Sequence, residues 1–414
     1  MITISYYGKE GSYFTDSMGL PKPYTQVVRA DGISAILFEG GTGNDHFDAS
    51  GVTSIPVIMN GGEGADRLTG GQKKNRFIMS GQDIGNDQLT GTAASENIID
   101  FSRQKESGLA LVFQREENRE VLKINEQHHL NWKGGKIDQI KLTALQDVVE
   151  IKDFSQPSLM LVDVGGDDHY KIHFNQNGSS GKITIVDAFG KSNKVTAVAD
   201  GGSSPLKLSN GIMQLGDQRV LFSFGDTASE ENLREVIRVF DGEGNELKWK
   251  FDLSRLKVVF YRQDGEEVSG SDLFFETSIA ETPETLNLSH LEIESRGSAD
   301  QPLEVVAHEG ESADGEKLVM DQATLKLSGD SISLDLEIEA ACLELAATGK
   351  TTLSNKITIE RTVDGNGGFF CLNNGAILSA KEMNLTFTEL IEIMAEAELT
   401  ATGAIVLQVK EGNI

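Results

Sequence analysis

Asp45, Asp66 and Asp87 recur at intervals of 21 residues. Each stands two places before a large apolar residue, Phe47, Leu68 or Leu89, and Gly43, Gly64 and Gly85 keep the same interval. The first two repeats also open on paired glycines, Gly40-Gly41 and Gly61-Gly62. The chemistry such a set offers is the binding of a hard cation. Ionised Asp oxygens and inward-turned backbone carbonyls are the ligands Ca²⁺ prefers. Glycine takes the positive φ of a tight turn at little cost. If 21 residues make one coil, the turns stack. Asp45 with Asp66, and Asp66 with Asp87, then each share an ion, and without metal the stacked carboxylates repel each other.

The candidate metal site therefore comprises Asp45, Asp66 and Asp87 on turns shaped by Gly41, Gly43, Gly62, Gly64 and Gly85. In the third repeat Gln82 and Asp83 replace the paired glycines, so Asp83 either adds a ligand or leaves the turn unable to bind. Between the second and third repeats, Gly70 to Phe77 keeps two glycines but has Lys73 for the third glycine and Asn75 for the Asp. The nine-residue half of the repeat fits G-G-x-G-x-D-x-U-x, a pattern of calcium-binding parallel β-helices. Over Gly40 to Leu68, and more loosely to Gly91, the chain resembles the RTX (hemolysin-type) calcium-binding repeat family. That resemblance implies a calcium-filled β-roll and export by a signal near the C-terminus, without an N-terminal signal peptide. It also implies that the stretch from His173 to Asp200 resembles the region that caps such rolls.

Composition narrows the partners. The chain has 414 residues and a formal charge of −27, from 37 basic and 64 acidic side chains. Phosphate backbones need clustered Lys and Arg, so nucleic acid is not an expected partner. The acidity suits cations and solubility. No run of eighteen apolar residues exists, so no membrane span is expected. Cytosolic calcium is too scarce for weak sites of this type, which points to an extracellular or cell-surface location. The two cysteines, Cys342 and Cys371, read as apolar thiols and do not make a disulfide scaffold.

These residues must be positioned by strands. Forty-four glycines and many short apolar runs predict an all-β chain, a parallel β-roll or β-helix solenoid with one short helix near 228–240. Residues 1–39 read as N-terminal cap strands, 40–100 as the calcium roll, and 101–226 as a β-rich continuation of the solenoid. In 227–283, a cap or linker, Thr227 and Glu230 form a capping box ahead of Leu233, Val236, Ile237 and Phe240 on one helical face. Residues 284–414 read as a second solenoid segment. There Leu334, Leu336, Ile338 and Ala340 alternate with acids, and Ile391, Ile393, Ala395, Ala397 and Leu399 alternate with Glu392, Met394, Glu396 and Glu398. A helix would scatter them around its circumference, so period two decides.

Other constellations are weaker. His169 and His173 with Asp167 would share one side of a strand and either ligate a transition metal or stand in solvent. Gly165-Gly166-Asp167-Asp168 has the calcium motif's composition without its spacing. No H-E-x-x-H, G-x-S-x-G or Walker pattern is present. Two function classes result. One is a secreted structural or adhesive solenoid that calcium orders, with copies of itself or a surface polysaccharide as partners. The other is a carbohydrate-active parallel β-helix enzyme of the lyase or epimerase type.

Overall fold

The computed structural model describes residues 2–6, 14–15, 21–22, 24–28, 35–80, 84–104, 107–116, 119–152, 154–163, 165–175, 181–187, 193–200, 206–209, 212–215, 218–221, 237–240, 246–252, 257–261, 267–268, 274–277, 288–296, 302–307 and 317–410. Among them the chain is all-β, with parallel strands stacked as a solenoid of about 12 turns. The alternation of apolar residues explains this directly. Met59, Phe77, Ile99, Ile140, Leu161 and Ile185 stand one above the next in successive turns. None of the six is more than 1% exposed. Phe47, Leu68, Leu89 and Trp132 make a second ladder. Each fully buried side chain of this kind contributes about 1.5–3 kcal/mol.

A third ladder runs through most of the molecule. It passes from Leu111 through Val149, Tyr170 and Val195 to Leu291, Leu325, Leu343, Val363 and Met383. Residues from 288 onward therefore stack directly on Asn193–Asp200 and continue the same parallel ladder. Two antiparallel meanders interrupt the winding. Ala110–Glu116, Arg119–Ile124 and His128–Lys133 pair with each other, and the outer two rejoin the parallel ladder on Val148–Ile151 and Gln88–Thr90. Leu206–Ser209, Ile212–Leu215 and Gln218–Leu221 repeat the device. In the first meander Asn125 and Glu126 take φ of 50° and 60° to reverse the chain.

Outside the solenoid, Ile2–Tyr6 pairs with Tyr24–Val28, and Phe14–Thr15 with Pro21–Lys22. Ile36–Thr42 is the first strand of the parallel ladder. A separate antiparallel sheet of five strands lies between 237 and 277.

Three expectations change. No helix occurs among the described residues. Ile237–Phe240 is a strand paired with residues 246–247 and with Phe274–Thr277, while 227–236 lies outside the described residues. Val, Ile and Phe suit a paired strand as well as a helical face, and the tertiary pairing decides. The stretch 173–200 does not cap the solenoid, because Asn193–Asp200 is paired on both edges. Near the end, Leu334, Leu336, Ile338 and Ala340 point inward as expected, but Ile393 and Ala395 are exposed. There the chain turns between 394 and 397, with Glu396 at φ 59°, and the alternation is broken. Cys342 and Cys371 are free thiols, the first half-buried and the second buried.

One buried ion pair fixes a layer of the interior. Arg76 Nε donates to Asp100 Oδ2 at 2.6 Å, and the two side chains are 8% and 0% exposed. Desolvation works against the Asp100 charge, but Arg76, Lys141 and Ser102 together hold the carboxyl below the ordinary range. A carboxyl lowered in the folded state adds stability above its unfolded pKa of about 4, and that stability is lost as pH falls through the folded value. Arg76→Met leaves a buried charge and is expected to cost about 3 kcal/mol at pH 7. In denaturant unfolding the gap to wild type should shrink as pH falls below about 4. A gap that does not change with pH would refute this account.

Candidate metal centre

The 21-residue repeat is one coil. Phe47, Leu68 and Leu89 align in register on His46–Asp48, Arg67–Thr69 and Gln88–Thr90. The glycines stack at the corner ahead of them. Gly41, Gly43, Gly62, Gly64 and Gly85 have φ of 98°, 116°, 95°, 129° and 70°. Those angles belong to glycine. Space imposes the same choice, because a Cβ on Gly62 or Gly64 would overlap the carbonyl oxygen of Gly41 or Gly43 in the turn below.

Asp45, Asp66 and Asp87 are brought together as a column. The Asp45 N–H donates to Asp66 Oδ1 at 2.7 Å, and the Asp66 N–H donates to Asp87 Oδ1 at 2.8 Å. Asp66 and Asp87 are buried, and Asp45 is half-buried. The second oxygens of Asp45 and Asp66 are buried and accept no hydrogen bond. They turn back towards Gly40 and Gly61, where the missing side chains leave them room. Burial pushes the Asp66 carboxyl up and the Asp45 charge adds to it, while the N–H it accepts pulls it down. Asp83 lies outside the described residues. In the half-repeat at Gly70 to Phe77 the corner position is a neutral amide, Asn75. Asn75 Oδ1 accepts the Gly71 N–H at 2.7 Å, and Asn75 Nδ2 donates to Asn97 Oδ1 at 3.0 Å.

The Asp column thus does a structural task whether or not it holds metal. A backbone N–H at each corner would otherwise be buried without a partner, and the side chain one turn on accepts it. The same arrangement recurs beyond the glycine repeat. The Asn97 N–H donates to Asp138 Oδ2 at 2.9 Å, the Asp147 N–H to Asp168 Oδ1 at 2.6 Å, and the Asp168 N–H to Asn193 Oδ1 at 2.9 Å. Sequence reading missed Asp147 as a partner of Asp168. The signal was present, because Asp147-Val148-Val149 and Asp168-His169-Tyr170 share the Asp-x-apolar pattern 21 residues apart. The glycines had drawn attention instead.

The histidines do other work. His173 Nε2 meets Glu150 Oε1 at 2.7 Å, and His169 Nε2 meets Thr196 Oγ1 at 2.8 Å. Lys152 and Lys171 also converge on Glu150, which its three partners hold down at about 2 against the pull of burial. Asp167 is exposed. His169 and His173 therefore face ordinary strand partners on neighbouring turns.

The stacked corner makes a direct test. Gly64→Ala meets both a positive φ and the Gly43 carbonyl, and should cost about 1–3 kcal/mol. Gly51→Ala, where a Cβ finds open space, should stay within about 0.5 kcal/mol of wild type. Thermal unfolding of the two variants with chelator present measures the difference, and equal melting temperatures would refute the stacked corner. Comparison with known proteins returns no matching family model, no matching curated protein and no matching solved structure, so the site is read from its own geometry.

Proposed function

We propose that this chain is a calcium-binding β-solenoid of the extracellular or cell-surface kind, with a structural or adhesive role, in which calcium orders the roll at residues 40–91. The observation that carries the reading is the pair of buried carboxyl oxygens, Asp45 Oδ2 and Asp66 Oδ2, that accept no hydrogen bond. They belong to residues one coil apart in a chain of net charge −27. A buried carboxylate oxygen without a donor is costly unless a cation or a proton attends it. The donor set fits calcium, which takes about six to eight oxygens from carboxylates and backbone carbonyls. Asp45, Asp66, Asp87 and the carbonyls of the glycine corner would hold the ion. The solenoid's parallel stacking supports the same conclusion, since each turn repeats the ligands of the one before. Calcium would also offset the repulsion that a −27 chain presents to its own copies, which links ion binding to self-assembly.

Calcium titration by calorimetry tests this on the full chain. At calcium about 100 times Kd each site adds about 2.7 kcal/mol, so melting temperature rises measurably. Asp66→Asn is the decisive variant. Asparagine can still accept the Asp45 N–H, as Asn193 does for Asp168, so the chelated variant should melt near wild type. Its calcium affinity should fall at both shared sites, whereas Asp45→Asn and Asp87→Asn each spare one. Wild type that binds no calcium at millimolar concentration, or Asp66→Asn that binds like wild type, would overturn the reading.

A further inference from the structure

We propose that a second cation site, chemically independent of the glycine roll, lies inside the solenoid where Asp147, Asp163 and Asp168 converge, and that its ligand is Ca²⁺. Two of these acids are the corner residues described above. Asp147 precedes the strand Val148–Ile151, and Asp168 precedes His169–Asn175 in the next turn. Asp163 ends the strand Ser158–Asp163. One oxygen from each of the three lies within 4.8 Å of the others, and none of the residues is more than 1% exposed. Ligands on one calcium ion, at about 2.3–2.6 Å from it, span up to about 5 Å. The three oxygens therefore fit inside a single coordination sphere.

The oxygens of this cluster also lack donors. Asp163 Oδ2 and Asp168 Oδ2 are buried and accept no hydrogen bond. The donors that do reach the three carboxyls are neutral. Leu109 N–H, Thr143 N–H and Thr143 Oγ1 serve Asp147, the Asp147 N–H serves Asp168, and the Gly165 N–H serves Asp163, while the Asp163 and Asp147 carboxyls also meet each other and share a proton when no metal is bound. A fourth buried acid, Asp187, faces Asp163 across the parallel ladder and accepts the Tyr170 hydroxyl at 2.7 Å. Its charge adds to theirs.

The contrast with Asp100 shows what is missing. That carboxyl is equally buried, but Arg76 and Lys141 compensate it and its proton affinity falls. Around Asp163 burial and the charges of Asp187, Asp168 and Asp147 all act the other way, and its carboxyl is held well above the usual range. Asp168 is pushed up to about 9, first by burial and then by Asp187. Carboxyls raised this far hold protons near neutral pH, and a divalent cation that displaces them would supply the compensation that Arg76 and Lys141 give Asp100. Nothing in this site depends on the corner at Asp45 to Asp87, so either site can exist without the other.

Calcium titration of three full-length proteins tests the proposal. Asp163→Asn/Asp168→Asn removes two ionisable carboxyls and keeps the oxygens that accept the Gly165 and Asp147 N–H groups. It should bind one calcium ion fewer than wild type, with a smaller calcium-induced rise in melting temperature. Asp66→Asn should keep the ion that this double variant loses. A double variant with wild-type stoichiometry and wild-type response to calcium would overturn the proposal, even if Asp66→Asn had lost its own ions. If only the double variant loses an ion, the inner site stands and the roll reading fails. Should the double variant not fold, Tb³⁺ bound to wild type and to Tyr170→Phe gives the second measurement. Tyr170 is buried and bonded to this layer, so its loss should cut tyrosine-sensitised terbium emission that calcium competes away. Unchanged emission in Tyr170→Phe would also overturn the proposal.

Discussion

The fold depends on one hydrogen bond repeated at its corners. Where the chain enters a strand, a backbone N–H lacks a ladder partner at a corner largely closed to water. The Asp or Asn at the same position one turn later accepts it, as Asp66 does for Asp45 and Asp168 does for Asp147. A buried donor left alone costs about 1–3 kcal/mol, and such a residue removes that cost at five corners between Asp45 and Asn193. The bond also sets register. It links equivalent residues of adjacent coils, and a slip by one residue would unpair it and turn the apolar ladder outward.

This bond brings a second constraint. A parallel solenoid in register stacks like upon like. That favours the column of Met59, Phe77, Ile99 and Ile140, where contact adds to burial. It works against acids, which repel at short range in a medium of low dielectric. The chain meets the problem in three ways. At Asn75 and Asn97 it uses a neutral amide. At Asp100 it supplies Arg76 and Lys141 from neighbouring turns. At Asp45 and Asp66, and again at Asp163 and Asp168, carboxyl oxygens are buried without a hydrogen-bond donor, which is the ground for the cation sites proposed above.

Much of this was legible in the sequence. The interval of 21 gave the coil length, because a solenoid repeats its turn length in its residues, and Asp45, Asp66 and Asp87 do align. Period two gave the strands of 332–340, whose inward Leu and Ile residues are buried. Other features depend on pairing that a single strand cannot display. Ile237 and Phe240 satisfy a helical face and a strand alike until their neighbours are known. The two meanders hide because an antiparallel insertion has the same alternation as the parallel strands around it. The inner acid layer hides for a different reason. Asp163 and Asp168 lie close in sequence, but Asp147 reaches them only because one coil is 21 residues long, and no glycine pattern marks it.

The corner bond also explains why an Asp column alone does not identify a metal site. Asparagine accepts the N–H as well as aspartate does, as Asn193 shows with Asp168. If acceptance were the whole task, the neutral residue would be the less costly choice at a buried corner, since it brings no charge to desolvate. A carboxyl at such a corner therefore needs a partner for its charge, or a proton, that an amide does not. At Asp100 that partner is visible, because Arg76 lies against it. At Asp66, Asp163 and Asp168 no cationic side chain among the described residues is paired with the carboxyl, and a proton or, at the proposed sites, a cation would take that place. If the proposed sites hold cations, the stability of those turns and of the strands stacked upon them would follow the cation supply.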